Sequence, residues 1–188
     1  MPSLQINLTK RPDGGYVIAC TRADGSVTWQ RGRDAGFFPL HDLTHYAVET
    51  ELRHRRGFFG LLAEGWEFTD FSSDWPRGRI PADAEPAELI VGLLDSERHG
   101  VGGAVIADSG CSPDVVIPNA AHVMTASELN AAAALFFEQL GCKEVPPAQR
   151  VNLSDEELER IRRRRDALLA DWDALSLGGT LELTFNVQ

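Results

Sequence analysis

The chain has 188 residues, enough for one domain with a sizeable core and short for two. Hydrophobic residues make up 43% and charged ones 24%, which excludes disorder over most of the length. A formal charge of −10 and a pI near 4.9 exclude general nucleic-acid binding, which depends on cationic side chains releasing condensed counterions.

One domain over residues 1–188 is expected. The three cysteines, Cys20, Cys111 and Cys142, are odd in number, far apart and without a CxxC pair, so they read as reduced thiols in a cytoplasm. The start "MPSLQINLTK" lacks the basic and apolar regions of a signal peptide, and no apolar stretch approaches the ~20 residues that cross a bilayer. A soluble cytoplasmic protein with no membrane partner follows.

The first thirty residues alternate in polarity. Leu4, Ile6 and Leu8 oppose Gln5, Asn7 and Thr9, and further runs Tyr16 to Thr21 and Val27 to Gln30 follow Asp13-Gly14 and Asp24-Gly25. Period-two runs joined by Asp-Gly turns predict a three-stranded antiparallel meander. The helical signal begins after Pro39 and is expected to stop at Gly57, with "FFGLLAEG" stopping at Gly65. Pro86 opens a helix through Leu94 towards Gly100, and "TASELNAAAALFFEQLG" opens with a Thr125-x-x-Glu128 capping box.

A second capping box, Ser154-x-x-Glu157, opens the last helix, whose apolar stripe is Leu158, Ile161, Leu168, Trp172 and Leu175. Beyond Gly178-Gly179, Leu181, Leu183, Phe185 and Val187 alternate with polar residues, and this strand is expected to join the amino-terminal sheet. Residues 66–85 and 100–124 read as loops. The expected fold is α+β: an antiparallel sheet of three amino-terminal strands and one carboxy-terminal strand, with about five helices packed mainly on one face.

Three of the five histidines lie in "FFPLHDLTHYAVETELRHRRGFFG", where His41, His45 and Glu49 follow at intervals of four. On a helix of 3.6 residues per turn, His41, Asp42, His45 and Glu49 share a sector of roughly 100°. Leu40, Leu43 and Ala47 lie opposite, while Val48 and Leu52 flank the histidines. Apolar residues on two sides imply an embedded helix whose histidines look into a cleft.

Imidazoles one turn apart can reach one ion, and a carboxylate can complete an open site for Zn, Fe or Mn. The candidate divalent-metal ligands are therefore His41, His45 and Glu49. Asp42 either ligates or orients a histidine, and Glu64 or His122 could add a fourth ligand. Such a centre would polarise a bound oxygen or activate water on a small-molecule ligand, as in a metal-dependent hydrolase or lyase. The plainer reading is a ladder of hydrogen bonds on an ordinary helix.

The HDxxH spelling of His41, Asp42 and His45 resembles the zinc-binding motif of the ubiquinone-biosynthesis coordinating proteins. That family is predominantly helical, and its motif continues with eleven residues and a glutamate. The resemblance implies metal binding by His41, Asp42 and His45, but the position of the glutamate is Gly57 in this chain. The wider wording "FFPLHDLTHYAVE" is similar to bacterial proteins without an assigned reaction.

The remaining signals are weaker. Arg160 to Arg165 carries five arginines, but Glu156, Glu157, Glu159, Asp166 and Asp171 surround them on the same helix, so the run reads as a solvated surface. "GVGGAVIADSG", residues 100–110, has the spacing of neither a phosphate loop nor a dinucleotide fingerprint. Ser109, Cys111 and Ser112 lack an identifiable base. Trp66, Phe68, Phe71 and Trp75 are expected to pin their loop to the core, the alternative being the mouth of a pocket with Arg77 and Arg79. The rival to an enzyme is a scaffold whose helix from Ser154 to Leu175 binds a partner or makes a homo-oligomer.

Overall fold

The computed structural model describes residues 3–33, 35–71, 80–99, 123–139 and 146–187. His122, Cys111, Cys142, Trp75, Arg77, Arg79, Ser109, Ser112 and the glycine-rich stretch 100–110 lie outside them. Strands β1 (Ser3–Lys10), β2 (Tyr16–Thr21) and β3 (Val27–Gly32) form the antiparallel meander, and β4 (Thr180–Asn186) pairs antiparallel with β1. The sheet order is β3-β2-β1-β4. Gly14 and Gly25, at φ of 82° and 84°, supply the left-handed residue that each Asp-Gly turn requires.

The alternation decides which face is covered. Leu4, Ile6, Leu8, Ile18 and Cys20 are fully buried beneath the helices, while Gln5, Asn7, Trp29 and Glu182 stand exposed. Each buried Leu or Ile contributes about 1.5–3 kcal/mol by leaving water, so a register slip of one residue would turn this whole set outward. The Cys20 thiol is free, and burial pushes its pKa upward.

Among the described residues five α-helices follow: α1 (Phe38–Leu52), α2 (Phe58–Ala63), α3 (Glu85–His99), α4 (Ala126–Gln139) and α5 (Asp155–Ala174). The expected α+β architecture is thus present, with the helices on the inner face of the sheet. Among the described residues, no helix is long and apolar enough to cross a membrane. Helix α1 is central: Asp42 through Glu49 are buried without interruption, and the helix packs against α3, α5 and α2. The Tyr46 hydroxyl donates to the carbonyl of Thr184 at 2.9 Å, which ties α1 to β4.

Helix α1 ends earlier than the glycine signal predicts. Arg53 takes the left-handed conformation at φ 54°, and the His54 N–H donates to the Glu49 carbonyl at 2.9 Å, closing the helix before Gly57 is reached. Gly57 instead precedes α2 as its N-cap. The aromatic loop is pinned as expected: Phe68 to Phe71 forms a 3-10 turn, Phe58 lies 4.8 Å from Phe71 and Trp66 lies 5.4 Å from it, ring to ring.

The arginine run departs from the surface expectation. Arg162 and Arg165 have side chains only 14% and 12% exposed, and both reach the buried Glu97 of α3. Arg162 also donates to the Met124 carbonyl at 2.6 Å, while the Met124 N–H donates to Glu97 at 2.8 Å. Arg160 and Arg164 pair with Glu51 at 3.4 and 2.5 Å on the outside. Arg162 and Arg165, three positions apart, face α3, while Arg160 and Arg164, four apart, face Glu51 on the outside, so the run has two roles.

Both capping boxes form. In α5, Ser154 Oγ accepts from the Glu157 N–H at 3.2 Å while the Glu157 carboxylate accepts from the Ser154 N–H at 2.9 Å. Ser154→Ala is expected to lower the unfolding free energy by about 1 kcal/mol, measurable by urea denaturation.

Candidate functional site

The histidine helix brings its two imidazoles together. His41 and His45 approach Nε2 to Nε2 at 3.2 Å, with ring centroids 4.7 Å apart and planes at 79°. The His45 side chain is 2% exposed and that of His41 is 22% exposed, so the pair forms a passage from the interior to the surface. Phe58 packs on His45 at 5.1 Å, and Phe37 stacks on His41 at 6.2 Å with planes 11° apart. These aromatic contacts shelter the pair.

The opposite wall is α3. Glu88 and Asp95 sit two turns apart on the flank of α3 that meets α1. Asp95, 1% exposed, lies with Oδ2 at 2.6 Å from His41 Nδ1, and Glu88 Oε2 lies 3.5 Å from His45 Nε2. An ionised Asp95 accepts from His41 Nδ1–H, which leaves Nε2 as the ring atom facing His45. Sequence periodicity missed both carboxylates. The available signal was Asp95 itself, an acid inside the apolar run "LIVGLLDSE" of an amphipathic helix.

Glu49 stands on the other side of His45. Its carboxylate is fully buried, with Oε1 3.5 Å from His45 Nδ1 and not at the Nε2 side. Oε1 accepts from the Phe59 N–H at 3.2 Å and Oε2 from the Gly60 N–H at 3.1 Å, so it caps the amino end of α2. Gly57 makes room for this: a Cβ there would lie 2.4 Å from the Glu49 Cδ. The position at which the resembled motif carries a glutamate is thus filled against the carboxyl of Glu49.

The electrostatics follow from burial. Burial pushes the Glu49 carboxyl up to about 8, against the pull of the amide hydrogen bonds. It likewise raises Asp42 to about 7, with Asp95 and Glu88 adding repulsion. The Asp42 side chain is buried, and its charge acts on His41 and Cys20. His45 is lowered to about 4, chiefly by burial. Burial also pulls on His41, but the hydrogen bond and charge of Asp95 outweigh it and hold this imidazole above its ordinary value.

One buried ring atom of the histidine pair is left over. His45 Nδ1 has no hydrogen-bond partner, since Glu49 at 3.5 Å stands beyond bonding range. Of the other residues considered as ligands, Glu64 is remote in role: it pairs with Arg56 at 3.0 Å on the surface. Among the described residues, no three His, Cys, Asp or Glu side chains stand in a ready-made coordination shell. His45 Nε2 lies 3.2 Å from His41 Nε2 and 3.5 Å from Glu88 Oε2. Comparison with protein-family models, curated proteins and solved structures found no match to this chain.

Proposed function

We propose that His41 and His45 hold a divalent metal ion through their Nε2 atoms, with Glu88 as the carboxylate ligand and Asp95 fixing the His41 ring through Nδ1. The observation that carries this reading is the 3.2 Å separation of two Nε2 atoms in a sheltered setting. Two neutral imidazoles can approach so closely only by sharing a proton or an ion. Nitrogens bound to one tetrahedral ion at ~2.0–2.1 Å stand about 3.4 Å apart. A small advance of Glu88 would complete a two-histidine, one-carboxylate set suited to Zn, Fe or Mn, with remaining positions open to water and substrate.

Such an ion would lower the pKa of bound water or polarise a substrate oxygen, the chemistry of a metal-dependent hydrolase or lyase acting on a small molecule. Binding would also draw His45 towards donating Nδ1–H to Glu49, giving the leftover atom a partner. A cytoplasmic setting fits the free Cys20 thiol, and the acidic chain favours no nucleic-acid role. The scaffold alternative has less support: in α5 the stripe Leu158, Ile161, Leu168 and Trp172 is buried in the core, so its apolar face is already occupied.

Elemental analysis of protein purified without chelators and reconstituted with Zn, Mn or Fe is expected to find about one ion per chain. His45→Ala is expected to bring this close to zero while the circular dichroism spectrum persists. A folded wild type that takes up no metal under replete conditions would refute the reading.

A further inference from the structure

We propose that Arg98 is the receptor for an oxyanion, a carboxylate or phosphate group, on the molecule that reaches this site. The inference builds on the metal-centre reading, which supplies the reacting end of that molecule. Arg98 itself is argued from its own surroundings.

Arg98 lies in the last turn of α3, three residues beyond Asp95. Its side chain is only 18% exposed, and its Nε is buried with no hydrogen-bond partner. The contact it does make is loose: Nη2 stands 3.5 Å from Asp95 Oδ1, where a charge-assisted bond is ordinarily ~2.7–2.9 Å. Asp95 is committed elsewhere, because its other oxygen holds His41 at 2.6 Å. Among the described residues, the guanidinium therefore keeps in-plane donor capacity that is not used.

Its position is set by the same aromatic ring that flanks the histidines. The guanidinium carbon lies 6.0 Å from the Phe37 ring centre, and Phe37 stacks on His41, the more exposed imidazole of the pair. A guanidinium cannot shed its proton to escape burial, so its unmet N–H groups favour a ligand with two oxygens in their plane. Carboxylate and phosphate both offer this through Nε–H and an Nη–H together. A divalent ion at His41 and His45 would add positive charge on the same side. Arg165, whose Nη1 also lacks a hydrogen bond, differs in having Glu97 at 3.9 Å and Asp166 at 2.9 Å.

The test follows arginine Nε–H signals by nuclear magnetic resonance in metal-free, nitrogen-15-labelled protein, the Arg98 signal being assigned by its loss in Arg98→Lys. Sodium acetate and inorganic phosphate are titrated at constant ionic strength, with acetamide as the neutral control. The expected result is a saturable shift of the Arg98 signal at about millimolar acetate or phosphate and none with acetamide. Backbone signals of Phe37 and His41 should report affinity about tenfold weaker in Arg98→Lys. The better of the two anions names the group. Absence of a saturable shift, an equal response to acetamide, or unchanged affinity in the variant would overturn the proposal. Adding zinc then separates the two readings: tighter anion binding supports both, whereas an anion response indifferent to zinc leaves Arg98 standing and counts against the metal centre.

Discussion

Glu49→Ala is expected to lower the unfolding free energy by about 3–5 kcal/mol. The carboxyl is fully buried and accepts from the N–H groups of Phe59 and Gly60. Its removal strands both donors at the start of a six-residue helix that has no side-chain cap of its own. Each unsatisfied buried N–H costs about 1–3 kcal/mol, and the vacated volume adds a cavity term. Glu49→Gln would retain one acceptor and point an amide N–H at a backbone N–H, for a smaller loss of about 1–3 kcal/mol. Urea denaturation of both variants would check the order, and equal stability to wild type in Glu49→Ala would refute the capping role.

Glu88→Gln is expected to act in the opposite sense, weakening metal binding by about 100-fold while leaving stability nearly unchanged. Glu88 is 23% exposed at its side chain and stands 3.5 Å from His45 Nε2, so it can advance on an ion without dismantling a structural contact. An amide in its place keeps the volume and loses the negative charge that a divalent ion requires. Glu49→Gln should show the converse pattern, a stability loss with only a modest change in metal affinity. Calorimetric titration with zinc, read beside the denaturation curves, distinguishes the two carboxylates. Stronger loss of metal from Glu49→Gln than from Glu88→Gln would return Glu49 to the coordination sphere.

The contrast between these glutamates marks where the sequence ceases to be informative. Periodicity along α1 is a property of one helix, and it correctly put His41, His45 and Glu49 on a shared flank. What faces that flank is decided by tertiary packing. Glu49 meets the amino end of α2, and Glu88 and Asp95 come from α3, forty or more positions away in the chain. The sheet was easier to read because each strand carries its own burial pattern and each early turn its own Asp-Gly signature.

Gly57 shows how a correct residue signal can be given the wrong role. A glycine after a helical stretch suggests a left-handed cap, yet Arg53 adopts that conformation four positions earlier. Gly57 is required for a different physical reason, the closeness of the Glu49 carboxyl. The arginines of α5 pose the same difficulty: composition counts charges, but the buried Glu97 determines which of them turn inward.

The pairing of β1 with β4 bears on how the protein is made. Thr9 and Thr180, bonded side chain to side chain at 2.8 Å, are 171 positions apart, so during translation β1 leaves the ribosome long before its neighbour exists. Until then the nascent meander exposes one open hydrogen-bonding border and an apolar underside, which invites assistance from chaperones and slows closure relative to a chain of local contacts. The antiparallel register that sets Ser3 beside Asn186 therefore closes only once β4 has been made, and β1 waits for its second partner until then.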